Sequence, residues 1–184
     1  EFGGGIKGKV LKNVGFDAKA TVSSYENMFF YLNDTIETNK FNILYDTRGT
    51  DVFNFNGSLS YIIVDKYGVE FSLDYFGYNT KRLEEAWHKP NLDLGLNAWY
   101  NIYEKIILST ELNHLSGIKA QNPASRETVT LDPVLDWNAE INYLFSEKAG
   151  AFIMLNNILG KNYELLYRYP VRGLQVRLGV TVNF

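Results

Sequence analysis

The sequence predicts an all-β fold, an antiparallel up-and-down β-barrel that spans a membrane. Three observations predict it. Apolar residues alternate strictly with small or polar ones over stretches longer than the ~5–6 residues of a typical globular strand. The connections between these stretches alternate between tight turns and long polar loops, as in outer-membrane barrels. The polar positions hold Asn, Asp, Ser, Thr and Gly, where a solvent face of a soluble sheet is usually Lys and Glu.

The elements follow in order. A first strand covers 6–11. A second covers 14–31, with Val14, Phe16, Ala18, Ala20 and Val22 set against Asp17, Lys19 and Thr21. A third covers 41–64, interrupted near Arg48-Gly49, with Phe53, Phe55, Leu59 and Tyr61 against Asn54, Asn56, Ser58 and Ser60. The fourth, 69–79, sets Val69, Phe71, Leu73 and Tyr75 against Glu70, Ser72 and Asp74. The fifth, 91–102, sets Leu92, Leu94, Leu96, Ala98, Tyr100 and Ile102 against Asn91, Asp93, Gly95, Asn97, Trp99 and Asn101. The sixth, 105–116, carries Ile106, Leu108, Thr110 and Leu112 on its apolar side. The seventh, 131–145, alternates Leu135, Trp137, Ala139, Ile141, Tyr143 and Phe145 with Asp136, Asn138, Glu140 and Asn142. An eighth covers 149–158. The ninth, 173–184, is the cleanest: Leu174, Val176, Leu178, Val180, Val182 and Phe184 alternate with Gln175, Arg177, Gly179, Thr181 and Asn183. A helix would scatter both sets around its circumference.

Most of these strands match the ~9–11 residues that a tilted strand needs to cross a bilayer. Tight turns fall at Lys12-Asn13, Asp65 to Gly68, Tyr103-Glu104 and Ser146 to Lys148; long loops fall near 32–51, 80–90, 117–130 and 159–172. The short-turn side would be the periplasm. Tyr100, Tyr103, Tyr143, Phe145 and Phe184 gather near that rim and would form an aromatic girdle at the membrane interface. The apolar side chains would then meet lipid, and the polar ones would line a wet lumen. A soluble antiparallel barrel, acting as a binding module, is the alternative that also alternates.

Composition narrows the function. The 184 residues include 13 Tyr, 12 Phe, 3 Trp and 15 Gly against 4 Pro, which suits strands and turns. The length fits a single barrel domain over 1–184, or the carboxyl-terminal portion of one. A net charge of -3 speaks against nucleic acid as a partner. With no cysteine there is no thiolate nucleophile or thiolate metal site. Two isolated histidines make no metal site, so neither metal nor cofactor is expected. No apolar run approaches the ~18 residues of a membrane-spanning helix. The chain opens Glu1-Phe2-Gly3-Gly4-Gly5 with no signal peptide, so any export signal would lie outside it.

The candidate solute-contacting residues are the lumen-side Asp74, Glu111, Asp136, Glu140 and Arg177, alongside Asp17, Lys19 and Asp93. One constellation has a catalytic look: His114 and Ser116 share a face at the long-loop end of their strand. A hydrolase like the outer-membrane phospholipases would need a third polar group on the same face of the next strand. That face is expected to offer Val129, Leu131 and Pro133, with Asp132 and Asn138 pointing away, so no enzyme is expected. His88 sits in a long-side loop, next to Trp87, which reads as an interface anchor.

Several of these residues, in order, resemble a known family. Asn156-Asn157-Ile158-Leu159, Tyr163, Tyr169-Pro170, Gly173, Gly179 and the terminal Phe184 are similar to the closing strands of TonB-dependent receptors of the Bacteroidetes type. Leu131-Asp132-Pro133 with Asn138 and Tyr143, and Phe41 with Tyr45-Asp46, are similar too. One departure is Pro170-Val171-Arg172-Gly173 where the family usually reads Pro-Gly-Arg. The resemblance implies solute uptake across the bacterial outer membrane, driven through TonB by way of a plug domain absent from this chain. It also implies that Phe184 belongs to the signal read by the barrel-assembly machinery. The resemblance implies a barrel of about 22 strands, as in the family. Nine segments here, with barrels keeping even numbers, imply the carboxyl-terminal part of a larger barrel, or eight strands and a misread first segment.

Overall fold

The structure is a computed structural model and describes residues 1–37 and 40–182. In chain order the strands are β1 (Phe2–Leu11), β2 (Val14–Tyr25), β3 (Met28–Asn33), β4 (Phe41–Asp46), β5 (Thr50–Ile63), β6 (Tyr67–Thr80), β7 (Leu92–Ile102) and β8 (Ile106–Ser116). There follow β9 (Lys119–Gln121), β10 (Thr128–Thr130), β11 (Val134–Ser146), β12 (Ala149–Asn156), β13 (Glu164–Leu166), β14 (Tyr169–Pro170) and β15 (Gln175–Val182). Among the described residues there is no helix.

Nine of these strands form one antiparallel meander in the order β1-β2-β5-β6-β7-β8-β11-β12-β15. The sheet is not closed. The other six strands make three small hairpins, β3 with β4, β9 with β10 and β13 with β14. All three lie in the long connections, so they gather at one end of the sheet. At the other end the turns are two or three residues long, and register shifts mark bulges beside two of them, at Lys9/Leu11 and Leu144/Ser146.

The strand expectations hold closely, with three corrections. The first strand begins at Phe2 rather than 6. The stretch 14–31 is not one strand. It breaks after Tyr25, and β3 leaves the sheet to pair with β4 through Phe30↔Leu44 and Met28↔Asp46. Met28 to Tyr31 is an unbroken run of apolar and aromatic residues, which reads as more of the same strand, so the sequence alone does not show the break. The seventh strand begins at Val134 rather than 131; Val129 belongs to the β9–β10 hairpin, and Leu131 is buried under the loops.

Directly opposed residues in a sheet share a face, so the register sorts the side chains. One face runs Val22, Phe53, Tyr75, Leu92; below it come Leu59, Phe71, Leu96, Leu112 and Trp137; at the far side come Ile141, Ile153 and Leu178. It is apolar but for a few positions such as Thr110, His114 and Ser116, and its large side chains are widely exposed. Leu178 is 73% exposed, Val180 70%, Val176 58% and Leu174 55%. The opposite face carries smaller polar side chains, which are mostly half-buried. A soluble sheet does the reverse, hiding its oily side and wetting its polar one.

The buried apolar core lies in the loops. Ile118, Ala120 and Leu131 are enclosed, with Leu115 and Tyr167 packed on them. Phe30 and Trp87 are also buried. Trp87 is therefore a loop-core residue, not the interface anchor that its sequence context suggested.

Candidate functional site

The polar face places five predicted residues together on one surface. Asp74 opposes Asp93 between β6 and β7, Glu111 opposes Asn97 and Asn138, and Asp136 opposes Asn113. Glu140 opposes Ser109 and Met154, and Met154 opposes Arg177. Six carboxylates thus line the central strands: Glu70, Asp74, Asp93, Glu111, Asp136 and Glu140. The cations of this face, Lys7, Lys9, Lys19 and Arg177, sit only on the flanking strands β1, β2 and β15.

Four of the six central carboxylates are held by amides, and among the described residues none of the six is in an ion pair. Asn56 Nδ2 donates to both Asp74 oxygens, at 3.0 and 3.1 Å. Glu111, Asp136 and Glu140 each use a neighbour two positions along the same strand face, as the period of a strand dictates. Asn113 Nδ2 donates to Glu111 Oε1 at 2.8 Å, Asn138 Nδ2 to Asp136 Oδ2 at 3.2 Å and Asn142 Nδ2 to Glu140 Oε1 at 2.8 Å. An amide neutralises no charge, so each of these four carboxylates keeps its field while its orientation is fixed. A hollow of about 290 Å³ lies in the middle of this wall, lined by Asn97, Trp99, Glu111, Asn138, Glu140 and Asn156 among others.

The predicted girdle residues sit at the tight-turn end. Tyr100 opposes Tyr67 and Leu108 on the apolar face, and the rings of Tyr67 and Tyr100 are 6.1 Å apart. Tyr143 and Phe145 meet edge to face at 5.0 Å. Tyr103 occupies a turn with φ 53° and is 90% exposed. Phe184 lies outside the described residues.

His114 and Ser116 do share a face, but it is the apolar one. His114 is opposed by Leu94 and Leu135, and Ser116 by Leu92. The partners expected at Val129, Leu131 and Pro133 are replaced by Leu135, and Asp136 stands on the other face. Among the described residues, no polar side chain stands directly opposite either of them in the sheet.

Periodicity did not reveal the organisation of the long-loop end. Asp46 is fully buried at the base of β4. Its carboxylate accepts the Thr50 hydroxyl at 2.9 Å and the backbone N–H groups of Lys81 and Arg82 at 2.8 and 3.1 Å, tying two loops to one point. Burial pushes this carboxyl up, but these donors and the Arg48 N–H together outweigh it and hold it below the ordinary carboxylate range. Asn157, also buried, takes φ 50°, a conformation Asn tolerates. Its Nδ2 donates to the carbonyls of Lys161 at 2.7 Å and Arg172 at 2.9 Å, and its Oδ1 accepts the Lys161 N–H at 3.1 Å. One side chain therefore staples both ends of the last long loop. The Asn156-Asn157 pair seen in the sequence gave this position without its reason.

No family model matches the sequence, and no curated protein matches it. Solved structures do match. The copper transporter OprC superposes with a TM-score of 0.71 at 13% identity, over 99% of this chain and 30% of that one. The pyoverdine outer membrane receptor FpvA from Pseudomonas aeruginosa PAO1 gives 0.72 at 14% identity, over 98% of this chain and 29% of the receptor. The outer membrane transporter YddB from Escherichia coli gives 0.69 at 13% identity, over 98% and 32%. This chain spans less than a third of the length of those proteins. Its fold is that of a portion of the barrel of the TonB-dependent outer-membrane receptors that the sequence resembles.

Proposed function

We propose that this chain is the carboxyl-terminal barrel portion of an outer-membrane protein that takes up a solute through the TonB system. The observation that carries the reading is the inverted sheet: a continuous apolar face left uncovered, backed by a face of amides and carboxylates. Hydrocarbon is the medium in which such a surface is stable, because each strand then hides its oily side and hydrates its polar one. A soluble binding module would expose an apolar area far beyond the few hundred Å² that soluble monomers show.

In this reading the tight turns face the periplasm and the three small hairpins face outward from the cell. Tyr100, Tyr103, Tyr143 and Phe145 lie at the inner lipid interface. Phe184 serves as the assembly signal. Asp74, Glu111, Asp136, Glu140 and Arg177 face the lumen, where they contact the solute or the plug domain that fills it. The carboxylates favour a cationic or amide-bearing contact surface, since the central wall offers negative charge and hydrogen-bond acceptors.

The test has two arms. The full-length protein should fractionate with the outer membrane and stay monodisperse only in detergent; a monodisperse detergent-free preparation opposes the reading. Uptake of the solute should require TonB, and Glu111→Gln with Glu140→Gln should lower it several-fold while folding is kept. Unchanged uptake in that double variant removes the wall from the transport path.

A further inference from the structure

We propose that His88 is a proton-operated latch that holds the long loops together and lets them part in acid. Four segments converge on this residue. Its backbone N–H donates to the Lys119 carbonyl of β9 at 2.8 Å. Its ring Nδ1 lies 2.8 Å from the Tyr31 carbonyl of β3. The Tyr167 N–H of the last long loop donates to its Nε2 at 3.3 Å. The fourth segment is its own loop, 81–91, in which it takes φ 58°.

These contacts fix the chemistry of the ring. A carbonyl beside Nδ1 requires a proton there. An N–H pointing at Nε2 requires a bare nitrogen. The latched imidazole is therefore neutral and carries its hydrogen on Nδ1. Protonation would set N–H against N–H at Tyr167, so that contact cannot survive it. The same peptide is held a second time, because Asn33 Nδ2 donates to the Tyr167 carbonyl at 3.3 Å. The ring edge packs on Phe41 at 5.5 Å, and Phe41 packs on Tyr169 at 5.2 Å.

No neighbouring charge would accommodate an imidazolium. On the β3–β4 hairpin, Asp34 is turned to the amides of Ile36 and Glu37. In the ring's own loop, Glu85 is paired with Lys119 of β9 at 2.6 Å, and the Lys89 ammonium lies over the Phe29 ring. In the last loop, Glu164 accepts the Arg168 N–H, and the Arg168 guanidinium lies over the Tyr167 ring. The other titratable groups on these elements are Tyr31, Glu37 paired with Lys40, Tyr45 and Asp46 on the hairpin, Lys81 paired with Asp51, Arg82 and Glu84 in the ring's own loop, Arg126 and Glu127 beyond β9, and Lys161, Tyr163, Tyr167, Tyr169 and Arg172 in the last loop. Burial pushes the ring's proton affinity below the ordinary His range, more than the hydrogen bond to Tyr31 restores it.

The sign follows from linkage. The parted loops put the ring in water, where it protonates at its ordinary value; the latched loops resist protonation. The latch is fully favoured above the ordinary His range. Within the window between that range and the lowered value, each pH unit downward multiplies the ratio of parted to latched loops by up to ~10.

The test is amide hydrogen exchange of the full-length protein in detergent micelles at pH 7.5 and 5.5, corrected for intrinsic exchange. Segment 161–170 should open several-fold more in acid, while β7 and β8 keep their protection. The non-titrating His88→Gln variant should show no such pH dependence. Equal opening at both pH values in the wild type, or the same dependence in His88→Gln, overturns the proposal. Imidazole ¹⁵N shifts of the wild type give an independent reading that needs no variant: a neutral Nδ1–H ring at pH 7.5 supports the latch, and a charged or Nε2–H ring there overturns it. Neither outcome depends on whether the protein transports anything.

Discussion

The ring of Phe152 lies across Gly179, its directly opposed partner on the neighbouring strand. A Cβ built on Gly179 would stand 2.4 Å from two ring carbons. Trp99 covers Gly68 in the same way, with its indole Nε1 2.6 Å from the added carbon. Both pairs sit on the polar face toward the tight-turn end. A large ring laid flat over a missing side chain fills space with little depth, and it pins the register of two strands.

Gly179→Val should therefore displace the Phe152 ring and weaken the β12–β15 pairing by about 1–3 kcal/mol. The check is the temperature at which the folded band on an unheated detergent gel converts to the unfolded one. Phe152→Ala combined with Gly179→Val should recover part of the loss, because the clash partner is gone. A single variant as stable as the parent refutes the packing.

The two faces should respond oppositely to charge. Leu178→Arg, on the apolar face, should cost about 2–4 kcal/mol in a bilayer if its strand crosses near mid-depth. Arg177→Gln, one residue away on the other face, should cost well under that. Refolding titrations into lipid vesicles measure both. Equal penalties would show that the faces are not in different solvents.

Asn157→Ala should loosen the last long loop. Two carbonyls and one N–H lose their partner together, for a cost of about 2 kcal/mol if water replaces them only in part. Limited proteolysis within 160–172 should quicken, and the strands should keep their protection. Asn157→Asp should not restore the parent, because a carboxylate cannot donate to the Lys161 and Arg172 carbonyls.

Asp46 gives a pH dependence with a definite direction. Its hydrogen bonds favour the ionised form, so the native proton affinity lies below the unfolded one. The stability it contributes is present above the ordinary carboxylate range and is lost as pH falls through the lowered native value. Loop cleavage near 47–50 and 81–83 should rise only in that acid window. Asp46→Ala should show the rise at neutral pH, having removed about 1–3 kcal/mol. Cleavage that is insensitive to both changes would deny Asp46 its anchoring role.

The sheet was legible because a two-residue period survives on a single strand and needs no partner to be recognised. Leu174 to Val182 shows this best: the alternation read from sequence and the exposed apolar face coincide. The placement of Asp74 and Glu140 on one polar face followed from the same period. What alternation could not carry was any bond formed between segments far apart in the chain. His88 meets Tyr31 and Tyr167 backbone atoms, and a backbone carbonyl leaves no trace in residue type. The break after Tyr25 was hidden for a related reason. Met28 to Tyr31 have the residue types of a strand while pairing with a different neighbour, and pairing is not a local property.

The meander has an odd number of strands, and this has a geometric consequence. Successive antiparallel neighbours reverse direction, so β1 and β15 point the same way. They cannot be zipped to each other as the hairpins within this sheet are, because that seam would be parallel. In hydrocarbon, each margin keeps a ladder of amide hydrogens and carbonyl oxygens with no water to meet them. Only an odd complement of additional strands brings the two margins together with the correct polarity. A cylinder assembled from this stretch therefore has two seams to make, and those seams, rather than the packed wall between them, are where its assembly is decided.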